Sequence, residues 1–491
     1  MRTSDMQPLR YLDRGEMERI HRAALQILEK TGMWVDHMRA LELLRAAGCR
    51  VDMDRRRVRF PAEAVEAAVA RLRRRFARPG NRPRRMSVRY SQVRFDRQPF
   101  RIHGDFSVSA GGFCCFVWDL DGQRRPATLA DARQALRLAD RLDQIAYTGL
   151  PCAAQEVPVA VRPVAMAAEL AKATRKFGGI ETFKPADVEY VCRIGEIAAG
   201  GREAHRRDPI MVGYAEARTP LCIDAVMADV LLAHLDRGLP QSLDTMPNGG
   251  ATAPATAAGI LATGLAESLG GLVLGYAAAP EATLTLDVNP GYCDMRSMLF
   301  VYAGAERIPL LAARVQMISE FYGCPSVIHG GKTDSCVPGT QAGVQKASTM
   351  LGAVLAGAIG FGTVGHLENA VTFSPLQLVI DNEIARYVRR AVRGIEVSDE
   401  TLALDAVDAV GPGGTFVAAD HTAAHFRDEL LLSPFFDALP WGVGDSLDRE
   451  RFEKRAAARA RELLAEERPP VLTPDQERAI DEVVAEASRT L

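Results

Sequence analysis

The segment IMVGYAEARTPLCIDAVMADVLLAHLDRGLPQSLDTM, residues 210–246, contains the repeating unit that decides the fold. A short β-prone run at 210–215 is followed by a long apolar pattern of helical spacing, and a second β-prone run follows at 242–246. Thr219 and Pro220 are typical of a helix start, as N-cap and first helical residue. Two strands joined by one helix are typical of a parallel sheet with a crossover connection.

The same alternation extends in both directions along the chain. Short β-prone runs that each precede a helical pattern begin roughly 30 to 45 residues apart, and there are eight of them. Eight strand–helix units are the number that closes a (β/α)8 barrel, the TIM barrel, which we therefore expect over residues 101–396. The rival fold is an open doubly wound sheet, but no Gly-x-Gly-x-x-Gly follows a strand. The eight runs are 106–110, 145–150, 178–182, 210–215, 242–246, 282–288, 325–329 and 359–365.

The regions that flank this barrel carry other patterns. Residues 1–100 combine helical periodicity with a short β-prone run at 58–60, which predicts a mostly helical, mixed α/β N-terminal subdomain. Residues 397–491 are helical around a Gly-Pro-Gly-Gly loop at 411–414, which predicts a C-terminal extension packed on the barrel or on another subunit. The run 71–101 holds 12 arginines and one acid. A solvated surface explains this run better than a nucleic-acid site, because no recognition motif accompanies it.

The composition is that of an ordinary globular protein. Of the 491 residues, 47% are hydrophobic and 25% charged, which excludes a mostly disordered chain, a collagen and a coiled coil. The net charge of -2 argues against a dedicated nucleic-acid binder. Nine cysteines without a Cys-x-x-Cys pair are typical of reduced thiols. The polar start lacks a secretory signal and the longest apolar stretch, 351–364, is too short to span a bilayer, so we expect a cytoplasmic protein.

Candidate site residues follow from the barrel prediction, because the active sites of such barrels lie at the carboxyl ends of the strands. Each polar residue there has even odds of supporting a loop or of reacting. The set of polar residues at the strand ends therefore indicates an active site more strongly than any one of them. Most aromatic rings near the mouth are packing residues, but a few facing the cavity would hold a quaternary ammonium at roughly 0.5 to 2 kcal/mol each. The candidates are Tyr214, Glu216, Asp244, Asp287, Lys332, His366 and Glu368, with the rings of Phe361 and Phe373.

The usual signatures of metal and nucleophile chemistry do not occur. His421 and His425 have i,i+4 spacing but lack the intervening glutamate of a zinc protease, so no bound metal is predicted. There is no Gly-x-Ser-x-Gly elbow, P-loop or kinase set. Lys332 follows a strand end, which leaves a Schiff-base lysine open as an alternative.

Several sequence blocks resemble the trimethylamine methyltransferase family of corrinoid-dependent methylamine methyltransferases. The resemblance extends over nearly the whole chain, and the blocks occur in the right order. They are residues 20–28 with Thr31 and Gly32, 119–131 (DLDGQRRPATLAD), 247–254 (PNGGATAP), 331–343 (GKTDSCVPGTQAG), 378–383 (LVIDNE) and 410–421 (VGPGGTFVAADH).

The resemblance implies a TIM barrel and a reaction. Founding members of the family carry pyrrolysine in a barrel loop, which corresponds here to residues 331–341, where only standard residues stand. Asp334, Ser335 and Cys336 are the nearest candidates for that position, and the predicted catalytic residues are Asp334, Cys336 and His366. Members without pyrrolysine are associated with quaternary amines such as glycine betaine. Their methyl group passes to the cobalt(I) of a corrinoid on a separate small protein.

Under this hypothesis the candidates acquire roles. Lys332, His366 or Arg218 would pair with the carboxylate of a betaine. The acidic candidates Glu216, Asp244, Asp287 and Glu368 would balance the ammonium charge, while Tyr214, Phe361 and Phe373 would supply ring faces. No Asp-x-His-x-x-Gly corrinoid-ligand motif occurs, so the corrinoid (cobalamin) is expected on a partner protein.

Three functions stay open on the sequence. The first is a cytoplasmic methyltransferase that acts on a quaternary or methylated amine, with a small corrinoid protein as partner and neither nucleic acid nor membrane. The second is a lysine-dependent barrel lyase that uses Lys332. The third is a non-catalytic protein that binds an amine or a corrinoid. The charged C-terminal helices favour a homo-oligomer.

Overall fold

The computed structural model describes residues 7–77, 101–436 and 452–491. Most of the arginine-rich run at 71–101 lies outside the described residues.

The N-terminal region pairs three helices with a small sheet. A π-helical turn, Ile27–Thr31, extends the first helix, and a capping box at Asp13 starts it, since the Asp13 carboxylate accepts from the Glu16 amide at 2.8 Å. The elements are α1 (Arg14–Gln26), β1 (Met33–Val35), α2 (Met38–Ala46), β2 (Arg50–Asp52), β3 (Arg57–Arg59) and α3 (Ala62–Ala77).

The middle region alternates short strands with helices, as the sequence predicts. Additional short strands at the carboxyl ends of the main strands form two antiparallel hairpins, one at 116–126 and one at 291–301. The elements are β4 (Ser107–Ala110), β5 (Phe116–Trp118), β6 (Arg124–Pro126), α4 (Leu129–Arg141), β7 (Tyr147–Thr148), α5 (Arg162–Ala173), α6 (Pro185–Ala198), α7 (Arg202–Arg207), β8 (Ala215–Glu216), β9 (Cys222–Ile223), α8 (Ala225–Asp236), β10 (Leu243–Asp244), β11 (Asn248–Gly249), α9 (Ala257–Ala278), β12 (Gly291–Asp294), β13 (Leu299–Val301), α10 (Arg307–Val315), β14 (Val327–Ile328), α11 (Thr340–Leu355), β15 (Gly360–Val364), β16 (His366–Leu367), β17 (Thr372–Phe373) and α12 (Pro375–Ala391).

The main strands of this region pair in parallel with their neighbours in the chain. One four-stranded sheet runs in the order β14, β15, β4, β7, so the first of the predicted runs lies beside the last. Strand β8 pairs in parallel with β10. Two isolated parallel β-bridges continue the pairing beyond these strands: Thr148 pairs with Phe177, and Gln241 pairs with Leu284. The fold is therefore mixed α/β with parallel strand pairing and crossover helices.

Two predicted strands do not form regular ladders: the run at 178–182 follows the bridge at Phe177, and the run at 282–288 is reduced to the bridge at Leu284. The backbones of Gly178 and Thr148 lie so close together that a Cβ atom on Gly178 would be 2.6 Å from the Thr148 carbonyl oxygen. This close approach leaves no room for a regular ladder of strand hydrogen bonds. At the second run, the Arg314 guanidinium donates to the carbonyl oxygens of Val288 and Val327, each at 2.8 Å. A side chain thus takes the place of strand-to-strand hydrogen bonds there.

The predicted helix start at Thr219 and Pro220 is wrong. Helix α8 begins after Asp224, whose carboxylate accepts from the Met227 amide at 2.9 Å. The intervening residues form β9, which pairs in parallel with β1. Tertiary pairing therefore overrides a local signal for a helix start, and it also ties the N-terminal sheet to the middle region.

The core is divided into two large clusters. One packs the N-terminal helices against α9, and the other packs β4, β15 and α4–α6 against the C-terminal helices. Among the described helices, α9 alone is long and apolar enough to pass for a membrane span, but most of it is buried inside the protein against α1, α2 and α3.

The C-terminal region has two distinct parts. Helices α16 (Phe452–Ala465) and α17 (Pro474–Thr490) pack on α4, α5, α6 and α12 of the middle region. Helices α13 (Asp399–Leu402), α14 (Leu404–Val410) and α15 (Asp420–Glu429) contribute no buried residue. This segment is the most exposed helical part of the described chain.

Candidate active site

A small cavity lies where the parallel strands end. Its volume is about 20 Å³, which is room for about one water molecule. Four glycines form much of its wall, so the strand ends approach one another closely: the Cβ of a side chain at Gly149 would come within 2.6 Å of the Gly179 carbonyl oxygen. The lining residues are Ser109, Ala110, Gly111, Gly112, Gly149, Gly179, Glu181, Tyr214, His329 and Thr363.

Tyr214 and Glu181 form the polar pair of this cavity. The Tyr214 hydroxyl donates to Glu181 Oε1 at 3.1 Å, and Tyr214 is buried. Tyr214, a candidate from the sequence, immediately precedes β8 and lines this cavity. Glu181 was missed because it stands inside the predicted run 178–182, where a carboxylate among apolar residues was the available signal.

Glu216 and Asp244 are brought together by the pairing of β8 with β10. Their Cα atoms are direct partners in the parallel register. Asp244 is buried and accepts a hydrogen bond from the Ser242 hydroxyl at 2.5 Å. Two candidate carboxylates for a cationic ligand thus lie side by side on neighbouring strands.

The two segments with the remaining polar candidates are joined at the rim. The amide of Gly331 donates to the Gly362 carbonyl at 2.9 Å. Further along, the amide of Glu368 donates to the Ser335 carbonyl at 2.7 Å and that of Asn369 to the Thr333 carbonyl at 3.1 Å. The structure therefore brings the predicted loop at 331–341 against the segment that follows β15.

Lys332 is buried and its ammonium faces an aromatic ring. Its Nζ atom lies 3.9 Å from the centroid of the Tyr302 ring, within the range of a cation–π contact. Tyr302 is itself held by the Arg307 guanidinium, which donates to the Tyr302 carbonyl oxygen. Tyr302 is one of the aromatic residues near the predicted mouth, although it was assigned no specific role from the sequence.

His366 is fully buried on β16 and packs against the cavity wall. A Cβ atom at Gly112 would lie 2.1 Å from His366 Cε1, so the imidazole occupies the space that this glycine leaves. His366 therefore borders the cavity through Gly112. Its placement next to the Lys332 segment was predicted only as a shared strand-end position.

Asp334 acts on the backbone of a neighbouring loop. Its carboxylate accepts from the amide of Tyr302 at 2.6 Å and from that of Ala303 at 3.1 Å. Burial raises the pKa of Asp334, and these hydrogen bonds oppose the rise. Asp334 thus orients the loop that carries the ring beside Lys332. Cys336, the other candidate of this loop, is exposed.

Glu368 and Asp287 are paired with arginines. Arg124 donates to both oxygens of Glu368, from Nε at 2.7 Å and from Nη2 at 3.1 Å. Arg314 donates to Asp287 Oδ1 at 2.5 Å, and this ion pair is buried. Each pair joins two parts of the chain, so both carboxylates have a structural partner that the sequence did not reveal.

Phe361 and Phe373 lie in the core. Both are fully buried in the cluster that packs the helices on β4 and β15, and the Phe361 ring centroid is 5.2 Å from that of Phe106. Neither ring lines the strand-end cavity. Ring faces nearer the site come from Tyr214 and Tyr302 instead.

A second cavity of about 430 Å³ opens at the rim beside this site. The hairpin of β12 and β13 forms one wall, with the aromatic side chains Tyr292 and Phe300. Asp334 and Gln345 line the other side. The rim cavity is far larger than the strand-end cavity and lies against the loop that holds Tyr302.

Within the described ranges, no group of three or more His, Cys, Asp or Glu side chains has the arrangement of a metal site. His421 and His425 stack with ring centroids 4.2 Å apart on α15, and His425 lies 3.7 Å from Glu400. The two histidines thus lie on the exposed C-terminal helices.

Comparisons with known proteins agree on one family. The model of the family described as trimethylamine methyltransferase (MTTB) matches residues 2–491. A trimethylamine methyltransferase MttB of Desulfitobacterium hafniense (strain DSM 10664 / DCB-2) is 30% identical over 416 residues, which are 84% of this chain and 81% of the relative. A glycine betaine methyltransferase of Desulfitobacterium hafniense (strain Y51) is 28% identical over 485 residues, 97% of both chains.

Among solved structures, the chain is similar to the monomethylamine methyltransferase MtmB of Methanosarcina barkeri. The sequence identity is 13% and the TM-score is 0.46, over 99% of this chain and 96% of the other.

Proposed function

The chain belongs to the trimethylamine methyltransferase family, and from that premise we propose that this methyltransferase moves a methyl group from a quaternary amine, of the glycine betaine type, to the cobalt of a corrinoid on a separate protein. The observation that supports this proposal most is the family match over residues 2–491, together with a glycine betaine methyltransferase that aligns over 97% of both chains. The loop at 331–341 contains only standard residues, which favours a donor that needs no special activation.

We propose that the middle region is a closed (β/α)8 barrel between an N-terminal subdomain, 1–100, and a C-terminal extension, 397–491. The parallel pairing of β4 with β15 supports closure, because it joins the first strand to the last. Hydrogen bonds across the gaps support it further: Ile180 N donates to Val212 O at 3.4 Å and Asn289 N to Thr245 O at 2.7 Å. All strands would then point their carboxyl ends at one site.

The chemistry of a quaternary ammonium suits this site. Its leaving group is a neutral tertiary amine, so transfer of the methyl group needs no general acid. Cobalt(I) of the corrinoid supplies the nucleophile. The tasks that remain for this chain are to bind the cation, to align the methyl group and to exclude water. The glycine-walled cavity at the strand ends offers a carboxylate and an aromatic ring for the cation, Glu181 and Tyr214.

The arrangement of charges fits a betaine better than a simple amine. Glu181 pairs with Tyr214, and Glu216 and Asp244 lie on the paired strands β8 and β10; these carboxylates would balance the ammonium. Lys332 would pair with the carboxylate, while the Tyr302 ring fixes the direction of its ammonium. The strand-end cavity of about 20 Å³ is smaller than a trimethylammonium group, so binding has to open it toward the rim cavity.

We propose the rim of the strand ends as the place where the corrinoid approaches, in a cytoplasmic complex. The hairpin of β12 and β13 borders the rim cavity and exposes the apolar side chains of Met295, Met298 and Leu299. An exposed apolar patch beside a buried site is the kind of surface that a partner protein covers.

A methyl-transfer assay tests this function. Purified protein is incubated with reduced cobalamin and, in parallel, with a reduced corrinoid protein from the same genome, and cobalt methylation is followed by absorbance. We expect methylation from glycine betaine and less or none from trimethylamine. Lys332→Met is expected to lower kcat/KM for glycine betaine at least tenfold, with a smaller effect on choline, which has no carboxylate.

The proposal is wrong if neither acceptor is methylated from glycine betaine, carnitine or choline. Borohydride trapping with carbonyl substrates runs alongside, because methyl transfer forms no imine whereas a Lys332 lyase would. If the wild type gives a trapped adduct and Lys332→Met gives none, the protein is a lyase and the methyltransferase proposal is wrong.

A further inference from the structure

We propose that Lys346 and Asp381 are positioning residues that clamp together the two strand ends from which Lys332 and His366 project. The effect of this pair on catalysis rests on the proposed function, whereas the contacts by which it holds the two strand ends are observed in the structure. Neither residue follows a strand, so neither was a candidate from the sequence. Lys346 lies on α11 and Asp381 on α12.

Lys346 reaches from its helix to the end of β14. Its Nζ atom donates to the carbonyl oxygen of Gly331 at 2.7 Å and to Asp381 Oδ2 at 2.5 Å. The Gly331 carbonyl belongs to the peptide bond that leads directly into Lys332. The ammonium of Lys346 therefore holds the backbone from which the Lys332 side chain starts.

Asp381 makes the matching contact at the end of β15. Its Oδ2 atom accepts from the Gly365 amide at 2.6 Å, and its Oδ1 atom accepts from Gln377 Nε2 at 2.8 Å. Gly365 immediately precedes His366. One buried ion pair thus touches the residue before each of two site candidates.

Close packing at the same place makes the contacts restrictive. A Cβ atom at Gly331 would come within 2.7 Å of Val364, and the Gly331 amide already donates to the Gly362 carbonyl at 2.9 Å. The two strand ends have little room to slide. A clamp on both of them sets the distance between Lys332 and His366 to within the tolerance of packed backbone.

The chemical nature of the pair supports a role beyond stability. Both side chains are completely shielded from solvent. Removing two charges from water is costly, and apolar residues of similar volume are often equally stabilising. Apolar replacements, however, could not hold the Gly331 carbonyl and the Gly365 amide as this pair does.

The test compares two donors in clamp variants. In Lys346→Met and Asp381→Asn, we expect the ratio of kcat/KM for glycine betaine to that for choline to fall at least tenfold, because a displaced Lys332 affects only the donor that has a carboxylate. A double-mutant cycle with Lys332→Met should be strongly non-additive. If Lys346→Met does not fold, the double substitution Lys346→Met with Asp381→Leu, which leaves no lone buried charge, takes its place.

Glu169→Gln is the matched control. Glu169 is a buried carboxylate that pairs with Arg133 between α4 and α5, away from the strand ends. This variant should lower the melting temperature without changing the donor ratio. An unchanged ratio in folded clamp variants, with both rates lowered alike, would reduce the pair to a structural role and overturn the inference.

Hydrogen exchange separates this outcome from a failure of the proposed function. Peptides that contain 331–341 and 365–374 should exchange faster in both clamp variants, while the rest of the chain exchanges as in the wild type. If the wild type methylates no acceptor, faster exchange in both peptides still supports the clamp, and unchanged exchange refutes it.

Discussion

Gly112 carries a steric constraint that can be isolated from the rest of the site. Its φ of 137° lies in the region that L side chains rarely adopt. The nearest heavy atoms to an added Cβ belong to His366, whose Cε1 would be only 2.1 Å away. Any side chain at this position must move the buried imidazole, since the backbone around it is closely packed.

Gly112→Ala should therefore lower methyl transfer at least tenfold and the free energy of unfolding by about 2 to 4 kcal/mol, from overpacking plus backbone strain. The two effects are checked by the single-turnover rate and by urea unfolding. Gly201→Ala is the matched control, because Gly201 has a φ of 134° with no atom within 4 Å of an added Cβ. In the control, backbone strain alone should lower the free energy of unfolding by about 1 to 3 kcal/mol, and the single-turnover rate should equal that of the wild type. Equal rates in both variants would contradict a role for the His366 position.

At the scale of single residues, strand-end reasoning located polar side chains better than it assigned them. Lys332 and His366 were expected at one rim because parallel strands end at one edge, and in the structure their segments are hydrogen-bonded to each other. Asp287 was treated as a ligand candidate, but its arginine partner comes from a helix 27 residues further along the chain, and no local pattern announces it. Which side of a strand a side chain faces also depends on neighbours, as Phe361 in the core illustrates.

Helix α8 is an element whose packing depends on a protonation state. His234 is buried on this helix, and its Nδ1 lies 2.8 Å from the Val230 carbonyl oxygen. Its Nε2 accepts a hydrogen bond from the Gly213 amide at 3.1 Å. An acceptor at Nε2 requires a neutral imidazole, so the ring must be uncharged for α8 to dock on the strand segment at Gly213.

Burial lowers the pKa of His234 to about 4, from the usual 6.5. Between these two pH values the unfolded chain binds more protons than the folded protein, so stability rises with pH. We expect a loss of about 3 kcal/mol of unfolding free energy at this site as the pH falls from 6.5 to 4. The measurement is urea unfolding across that range for the wild type and for His234→Gln, which does not titrate.

The informative quantity is the difference in unfolding free energy between the wild type and His234→Gln at each pH. Burial raises the pKa of Glu267 to about 7, and a carboxyl with a raised pKa makes stability fall as pH rises between about 4.5 and 7. The wild-type curve alone sums these opposite slopes, whereas Glu267 contributes equally to both proteins. A difference that stays constant from pH 4 to pH 6.5 would refute the assignment to His234.

At the scale of elements, the alternation of strands and helices was predictable and the exact starts were not. Helical patterns were expected after the β-prone runs, and helices such as α4, α8 and α11 do separate the short strands of the middle region. The start of α8 was misplaced because a Thr-Pro signal is local, whereas β9 forms only through pairing with β1, nearly 190 residues earlier in the chain. The run at 178–182 forms no regular strand, because two backbones approach closely at its glycines.

For the whole molecule, the outstanding feature is the exposed C-terminal segment at 395–436. Ile395 and Val417 are each 85% exposed and Leu404 is 67% exposed. Short helices without a buried face are marginal in water on their own. Contiguous apolar exposure of this extent is typical of a surface that another subunit covers. Most such assemblies are closed symmetric homo-oligomers, which favours a second copy of this chain as the occupant.

Self-association through this segment makes a direct prediction about mass. Sedimentation equilibrium at micromolar concentration should give at least twice the 53.3 kDa of one chain. The double substitution Leu404→Asp with Val407→Asp adds two charges to the apolar face of α14 and should return the mass to that of one chain. Val159→Asp, at an exposed site outside the segment, should leave the assembly intact. A wild type that sediments as a single chain would contradict self-association, and the exposed segment would then need a different partner. If the variant dissociates yet still transfers methyl groups at the wild-type rate, the strand-end site is complete within one chain and the oligomer serves stability alone.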